Sequence, residues 1–260
     1  MKQVITLLTD IGLRYASEMK GVILKVNADA NIIDISHDVS PYNVIEGAFL
    51  LKSSIPHFPD DSIHIGVVDP GVGTSRREII IEAKKTSFIG PDNGLLIPAA
   101  RALGKFSVFE ITEEFPNASH TFHGRDIFSP VAAQISRGKC AKDFGSTIKN
   151  FVDLKVESVK ISKNRIFGRA VHIDHFGSIV TGIPYESVCK KLKYGDRLKV
   201  LGKKVTFSRT YGGIEVGEPL LLIGSHNNIE VSINQGNASG LFGIKAGDQI
   251  EIELPENRSK

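Results

Sequence analysis

An acid, a tight turn and two cations follow one another between Val67 and Arg77, in the order Val-Val-Asp-Pro-Gly-Val-Gly-Thr-Ser-Arg-Arg. Asp69 stands where the apolar run from Ser62 to Val68 stops, Pro70 to Gly73 turn the chain sharply, and Arg76 and Arg77 return positive charge beside the acid. A paired carboxylate and guanidinium at the end of a buried strand suit a pocket that orients a polar group. A second constellation, Thr121-Phe122-His123-Gly124-Arg125-Asp126, sets a histidine in a loop just before a helical pattern. Imidazole exchanges a proton near neutral pH, so His123 can orient or deprotonate a water, although a lone histidine is also a common structural residue.

Other motifs compete with simpler readings. Gly71-Val72-Gly73-Thr74-Ser75-Arg76 ends in Arg where a dinucleotide fingerprint needs Gly, and it lacks the Lys-Ser/Thr of a phosphate-binding P-loop. His120, His123 and Asp126 are close enough to share a metal, but their spacing is not that of a helical zincin and no sulfur ligand supports them. The expectation is no metal and no cofactor. Farther along, Asp174 and Ser225 lie in turn-like segments and Asn234 follows an apolar run, where turn chemistry explains them as well as ligand binding does.

The elements that must carry these residues fall into two textures. In the first half, an apolar run followed by a carboxylate recurs four times: Val4 to Leu8 before Asp10, Ile32 to Ile35 before Asp38, Ile63 to Val68 before Asp69, and Ile79 to Ile89 before Asp92. Runs apolar on both faces suit a mainly parallel sheet with helices on both faces, and such sheets bind ligands at the carboxyl ends of their strands. Parallel neighbours would gather the four acids along one rim. Ser40-Pro41 reads as the start of a helix, and another follows Gly124-Arg125-Asp126 with Pro130 in its first turn. From about Ser158 the runs become short and alternating, which predicts an all-β barrel or sandwich behind the polar connector Lys155 to Arg165. The expected domains are 1–157, α/β, and 158–260, a β-barrel.

Composition narrows the function classes. With 260 residues, 41% hydrophobic content and a formal net charge of +3, the chain suits one or two globular domains, and no basic stretch tracks a phosphate backbone, which argues against nucleic acid. The 2 cysteines, Cys140 and Cys189, lie in no metal or disulfide spacing and suggest a reduced, cytoplasmic protein. No segment reads as a signal peptide or membrane span.

Taken together, the motifs resemble the S-adenosylmethionine (SAM) hydroxide adenosyltransferases, relatives of the fluorinase and chlorinase enzymes. The likeness spans nearly the whole chain and rests on Leu7-Leu8-Thr9-Asp10, Asp69 to Thr74, Gly90-Pro91-Asp92-Asn93-Gly94-Leu95-Leu96, Thr121 to Asp126, His172-Ile173-Asp174 with Phe176-Gly177, and Asn234-Gln235-Gly236. The resemblance implies hydrolysis of SAM to adenosine and L-methionine by water attacking the 5′ carbon, in a homotrimer whose sites lie between the first domain of one subunit and the second of its neighbour. It assigns a water-activating triad to Asp69, Arg76 and His123. It further assigns the ribose hydroxyls to Asp10, an aromatic wall to Tyr42, adenine contacts to Tyr211 and Asn234, and the methionine amino and carboxylate groups to Asp174 and Ser225. Two departures stand out: the segment after Asp10 is shorter than usual and lacks a second acid, and Ser178 replaces the usual Asn. A halide-using adenosyltransferase on the same fold, a non-catalytic SAM- or nucleoside-binding module and a metal-dependent hydrolase are the alternatives. The first is disfavoured by Asp69, His123 and a missing loop.

Overall fold

The apolar runs that end in acids form the parallel half of a single sheet. In the computed structural model, which describes residues 3–255, the chain divides into two units, Met1–Leu154 and Lys155–Lys260. The first contains β1 (Val4–Thr9), β2 (Asn31–Ser36), β3 (Ile63–Val67), β4 (Glu78–Ala83), β5 (Thr86–Pro91), β6 (Phe106–Glu110) and β7 (Thr147–Ile148). Its helices are α1 (Gly12–Val26), α2 (Val44–Ser54), α3 (Ile97–Leu103) and α4 (Ser129–Ile135). Strand order is β2-β1-β3-β5-β4-β6-β7, parallel from β2 to β5 and antiparallel beyond.

Side chains alternate between the two faces, as the two-residue period of a strand dictates. Ile5, Leu7, Ile65, Ile80 and Ile89 pack with Met19 and Ile23 of α1 and Val131 and Ala132 of α4. Leu8, Ile79, Ile81 and Phe88 turn the other way, with Leu51 of α2 and Ile97 and Ala100 of α3. Both faces are therefore dry, which is why β1 and β3 read as unbroken apolar runs. Each fully buried Leu or Ile contributes roughly 2 kcal/mol in transfer terms.

Because β2, β1, β3 and β5 are parallel, Asp38, Asp10, Asp69 and Asp92 follow strand ends at one edge of the sheet. Two local expectations are corrected. The run Ile79 to Ile89 is two antiparallel strands, split at Lys84, whose φ of 55° makes the turn. The helix expected at Ser40-Pro41 begins at Val44, and its cap is Asn43, whose side chain accepts from the Glu46 amide.

The second unit contains β8 (Val159–Ser162), β9 (Arg165–Ile173), β10 (Ile179–Pro184), α5 (Tyr185–Val188), β11 (Arg197–Val200) and β12 (Lys203–Phe207). After these come β13 (Pro219–Ile223), β14 (Asn228–Ile233), α6 (Ala238–Phe242) and β15 (Gln249–Glu253). Pairing runs β10-β14-β13-β12-β11-β15-β9 and returns to β10, closing a seven-strand barrel in which β8 pairs antiparallel with the first half of β9 and β10 with its second half. Ile166, Val200, Phe207, Leu221, Val231 and Ile252 fill its interior. Lys155 to Arg165 thus includes a strand rather than a bare connector. The division falls at 154/155 where residue 157 was expected to end the first domain, since Val156 is buried and the Ser158 amide bonds the Gly182 carbonyl of the barrel at 2.8 Å. Among the described residues, no helix is long and apolar enough to cross a membrane.

Candidate active site

In the first unit, β3 delivers Asp69 and the following turn folds back to bring Arg76 beside it. The turn is held by Thr74, whose hydroxyl donates to the Gly71 carbonyl at 2.7 Å and accepts from the Arg76 amide at 3.3 Å. Gly73 is required here: its φ is 74°, and a Cβ would sit 2.2 Å from the carbonyl oxygen of His120. That close approach places the Asp69 turn against the His123 loop.

The Arg76 guanidinium organises the cluster. Its Nε lies 3.0 Å from both oxygens of Asp69 and its Nη2 2.5 Å from Oδ2, a bidentate grip on the carboxylate. Its Nη1 donates to Glu78 Oε1 at 2.9 Å, and its plane lies 5.6 Å from the Phe128 ring centroid. His123 Nδ1 is 3.0 Å from Arg76 Nη2 and 3.0 Å from Glu78 Oε1. The side chains are 6% exposed for Asp69, 11% for Arg76 and His123 and 21% for Glu78, so these charges answer to one another more than to bulk water.

His123 enters a π-helical turn, Gly124–Phe128, that runs directly into α4. The loop ahead of it is cinched by Asp126, which accepts from the Ser119 amide and hydroxyl and pairs with Arg125. Burial raises the Asp126 carboxyl, but the bonds from Arg125 and Ser119 prevail and bring it down to about 2. Asp126 is therefore committed to shaping the loop.

Farther along the rim, Asp10 Oδ2 accepts from the Tyr42 amide at 2.9 Å, linking the end of β1 to the turn before α2. Tyr42 is held at φ 67°, a left-handed conformation costing about 1 kcal/mol, and the residue is 74% exposed. The shortened segment after Asp10 passes straight into α1 through Gly12, at φ 73°. Asp92, by contrast, is buried and tied to Arg77 and the Val152 amide, while Asn93 bonds the Val68 carbonyl at 2.7 Å and so braces the strand end that carries Asp69.

The second unit carries its own concave site, a cavity of about 740 Å³ lined by Asp174, Phe176, Ser178, Tyr211 and Asn234 among others. Asp174 Oδ1 accepts from the amides of Phe176 and Ser178, so the turn chemistry expected of it holds at one oxygen, and Ser178 serves through its backbone. Tyr211 donates its hydroxyl to Glu230 at 2.6 Å, and Ser232 donates to the same oxygen at 2.8 Å. Burial and that bond push the Tyr211 phenol up to about 12. Asn234 donates to the Ile214 carbonyl at 2.7 Å.

Ser225 is not among the lining residues. It sits exposed in the hairpin between β13 and β14, at the end of β14 remote from Asn234. The first unit thus gathers Asp69, Arg76 and His123, with Asp10 and Tyr42 together on the same rim, and the second gathers Asp174, Tyr211 and Asn234. Sequence reasoning missed Glu78 and Glu230. A signal for Glu78 existed: it lies two residues after Arg76 at the start of a strand, on the face it shares with Ile80 and hence with α4.

The family model for the SAM hydroxide adenosyltransferase N-terminal domain matches residues 5–145, and that for the C-terminal domain matches residues 168–251. The (R)-S-adenosyl-L-methionine hydrolase of Methanocaldococcus jannaschii is 38% identical, covering 96% of this chain and 95% of its own. The fluorinase of Nocardia brasiliensis is 23% identical, covering 97% of each chain. The crystal structure of an uncharacterized conserved protein from Thermotoga maritima matches with a TM-score of 0.87 at 35% identity, covering 95% of this chain and 99% of that one. Both units being matched, this chain belongs to the SAM hydroxide adenosyltransferase family, which is related to the fluorinases.

Proposed function

We propose that this protein hydrolyses S-adenosyl-L-methionine to adenosine and L-methionine, with water as the nucleophile. The observation that carries the reading is the Asp69, Arg76 and His123 cluster, a base and a fixed carboxylate around one guanidinium. A water lone pair attacks C5′ of the substrate opposite the sulfur, the C5′–S bond breaks with its electrons going to sulfur, and neutral methionine leaves. Sulfonium is a good leaving group, so no acid is needed there. The difficulty is the nucleophile.

His123 accepts the proton of the attacking water, because imidazole is the side-chain type in the cluster suited to exchanging a proton near neutral pH. Asp69 is gripped by Arg76 through two of its nitrogens, which suits it to orienting the water rather than deprotonating it. With the histidine neutral, two carboxylates against one guanidinium leave the cluster one negative charge, complementary to a sulfonium substrate. Attack neutralises that cation, so a site that sheds water accelerates it. A halide has no use for a proton acceptor, and Asp69 and His123 weigh against that alternative.

Asp10 and Tyr42 hold the ribose side, Asp174 the methionine amino group, and Tyr211 and Asn234 the adenine. The assignment of Ser225 to the methionine carboxylate rests on the resemblance alone. As that resemblance implies, the two sets meet across subunits of a homotrimer. Cys140 and Cys189, both free and partly exposed, suit a reducing cytoplasm. The preferred substrate is the (R) epimer at sulfur, as in the name of the M. jannaschii relative. Chromatography of incubations with each SAM epimer, with and without chloride, tests this. Adenosine and methionine from the (R) form, at a rate indifferent to chloride, are expected; a chlorinated nucleoside or unchanged substrate contradicts it.

A further inference from the structure

Glu78 belongs to no part of the expected triad, yet its Oε1 lies 3.0 Å from His123 Nδ1 and 2.9 Å from Arg76 Nη1. The arrangement around Nδ1 is exclusive. Arg76 can only donate, so Nδ1 faces it with a lone pair; Glu78 as a carboxylate can only accept, so Nδ1 faces it with a hydrogen. One ring nitrogen cannot do both at once. The Arg76 Nη2 group carries two hydrogens, one held by Asp69 Oδ2 at 2.5 Å and one facing Nδ1 at 3.0 Å, and Nη1 has its acceptor in Glu78, so the two tautomers of His123 compete for this nitrogen. A hydrogen on Nδ1 has only Glu78 of the two to receive it.

The reaction decides between them. Once His123 takes a proton from water, both ring nitrogens carry hydrogen, and Arg76 cannot accept from either. The protonated state therefore needs Glu78. We propose that Glu78 is a positioning residue for the hydrolysis: it holds His123 as the Nδ1–H tautomer, turns the bare Nε2 outward to take the water proton, and balances the imidazolium that forms. This rests on the hydrolase reading above. The proton moves from water oxygen to Nε2 as the O–C5′ bond forms, and later returns to solvent; Glu78 exchanges no atoms. The same logic, a carboxylate fixing a histidine tautomer through Nδ1, serves acyl-transfer triads of unrelated folds.

The test joins a spectroscopic readout to kinetics on the full chain. Long-range proton–nitrogen correlation of ¹⁵N-histidine-labelled protein distinguishes the two tautomers, with the His123 signals identified by their loss in His123→Asn. The wild type should show Nδ1–H, and Glu78→Ala should shift His123 toward Nε2–H while the other histidine signals stay in place. In steady state Glu78→Ala should lower kcat about 10- to 100-fold with KM changed less than about threefold. Glu78→Gln, which keeps a carbonyl acceptor without the charge, should recover part of kcat and remains informative where the alanine variant folds poorly. An Nε2–H tautomer in the wild type, an unaltered kcat in both variants, or a change confined to KM overturns the proposal. A wild type that does not turn over SAM refutes the hydrolase reading instead, and the tautomer measurement still decides where the proton lies.

Discussion

Asp69 and Arg76 are seven positions apart in the chain, and the turn between them exists to close that gap. On the proposed mechanism Asp69 orients the water and His123 takes its proton, so the two have separable tasks. Asp69→Asn keeps the shape and removes the charge that fixes Arg76, while His123→Ala removes the base. Each should lower kcat about 10²- to 10⁴-fold and leave SAM binding within a few-fold, as read by single-turnover rates beside calorimetric titration. Lost affinity with normal turnover would reassign both residues to binding. These side chains were legible because charged groups placed straight after a buried run have few structural reasons to be there. Glu78 was not, because a glutamate opening a strand is ordinary, and only its register beside Arg76 exposes its partner. Ser225 stands apart from the second unit's cavity, and which end of β14 a neighbouring loop occupies is fixed by strand direction in the barrel, which residue type does not encode.

At the scale of elements, the parallel strands do two jobs, placing the acids that follow them along one rim and burying polar groups that need partners within. His64 on β3 is such a group. It bonds Thr6 at 2.7 Å, stacks on Phe88 with centroids 5.2 Å apart, and burial depresses its imidazole from 6.5 to about 4. Above pH 6.5 it is neutral whether the chain is folded or not, and it costs nothing. Between 6.5 and about 4 the unfolded chain binds a proton that the folded one refuses, so stability falls as pH falls, by roughly 3 kcal/mol once pH is below both values. Urea unfolding at pH 7.5, 5.5 and 4 should show this slope in the wild type and lose it in His64→Gln; equal slopes would assign the acid sensitivity elsewhere. Strand existence was readable from apolar runs, but boundaries were not. Ile79 to Ile89 hid a hairpin because Lys84-Lys85 lacks the Gly or Asn that usually marks one, β8 escaped because all four of its residues are exposed, and β12 because it opens with two lysines.

For the whole molecule, two unlike textures in the sequence were enough to separate an α/β unit from a barrel, since a two-sided buried sheet and a half-buried one need different residue patterns. Barrel closure was not legible, because it depends on the pairing of β9 with β10 and on the parallel step between β12 and β13, which are long-range facts. The same holds for assembly: the proposed homotrimer is what would join the two candidate sites. Attack of water at the 5′ carbon leaves a chemical trace that a label can follow. The purified protein should be incubated with SAM in ¹⁸O-labelled water, and the nucleoside and methionine analysed by mass spectrometry. One ¹⁸O atom is expected in adenosine, at the 5′ hydroxyl, and none in methionine. Unlabelled adenosine, or label found in methionine, would contradict attack of water at the 5′ carbon.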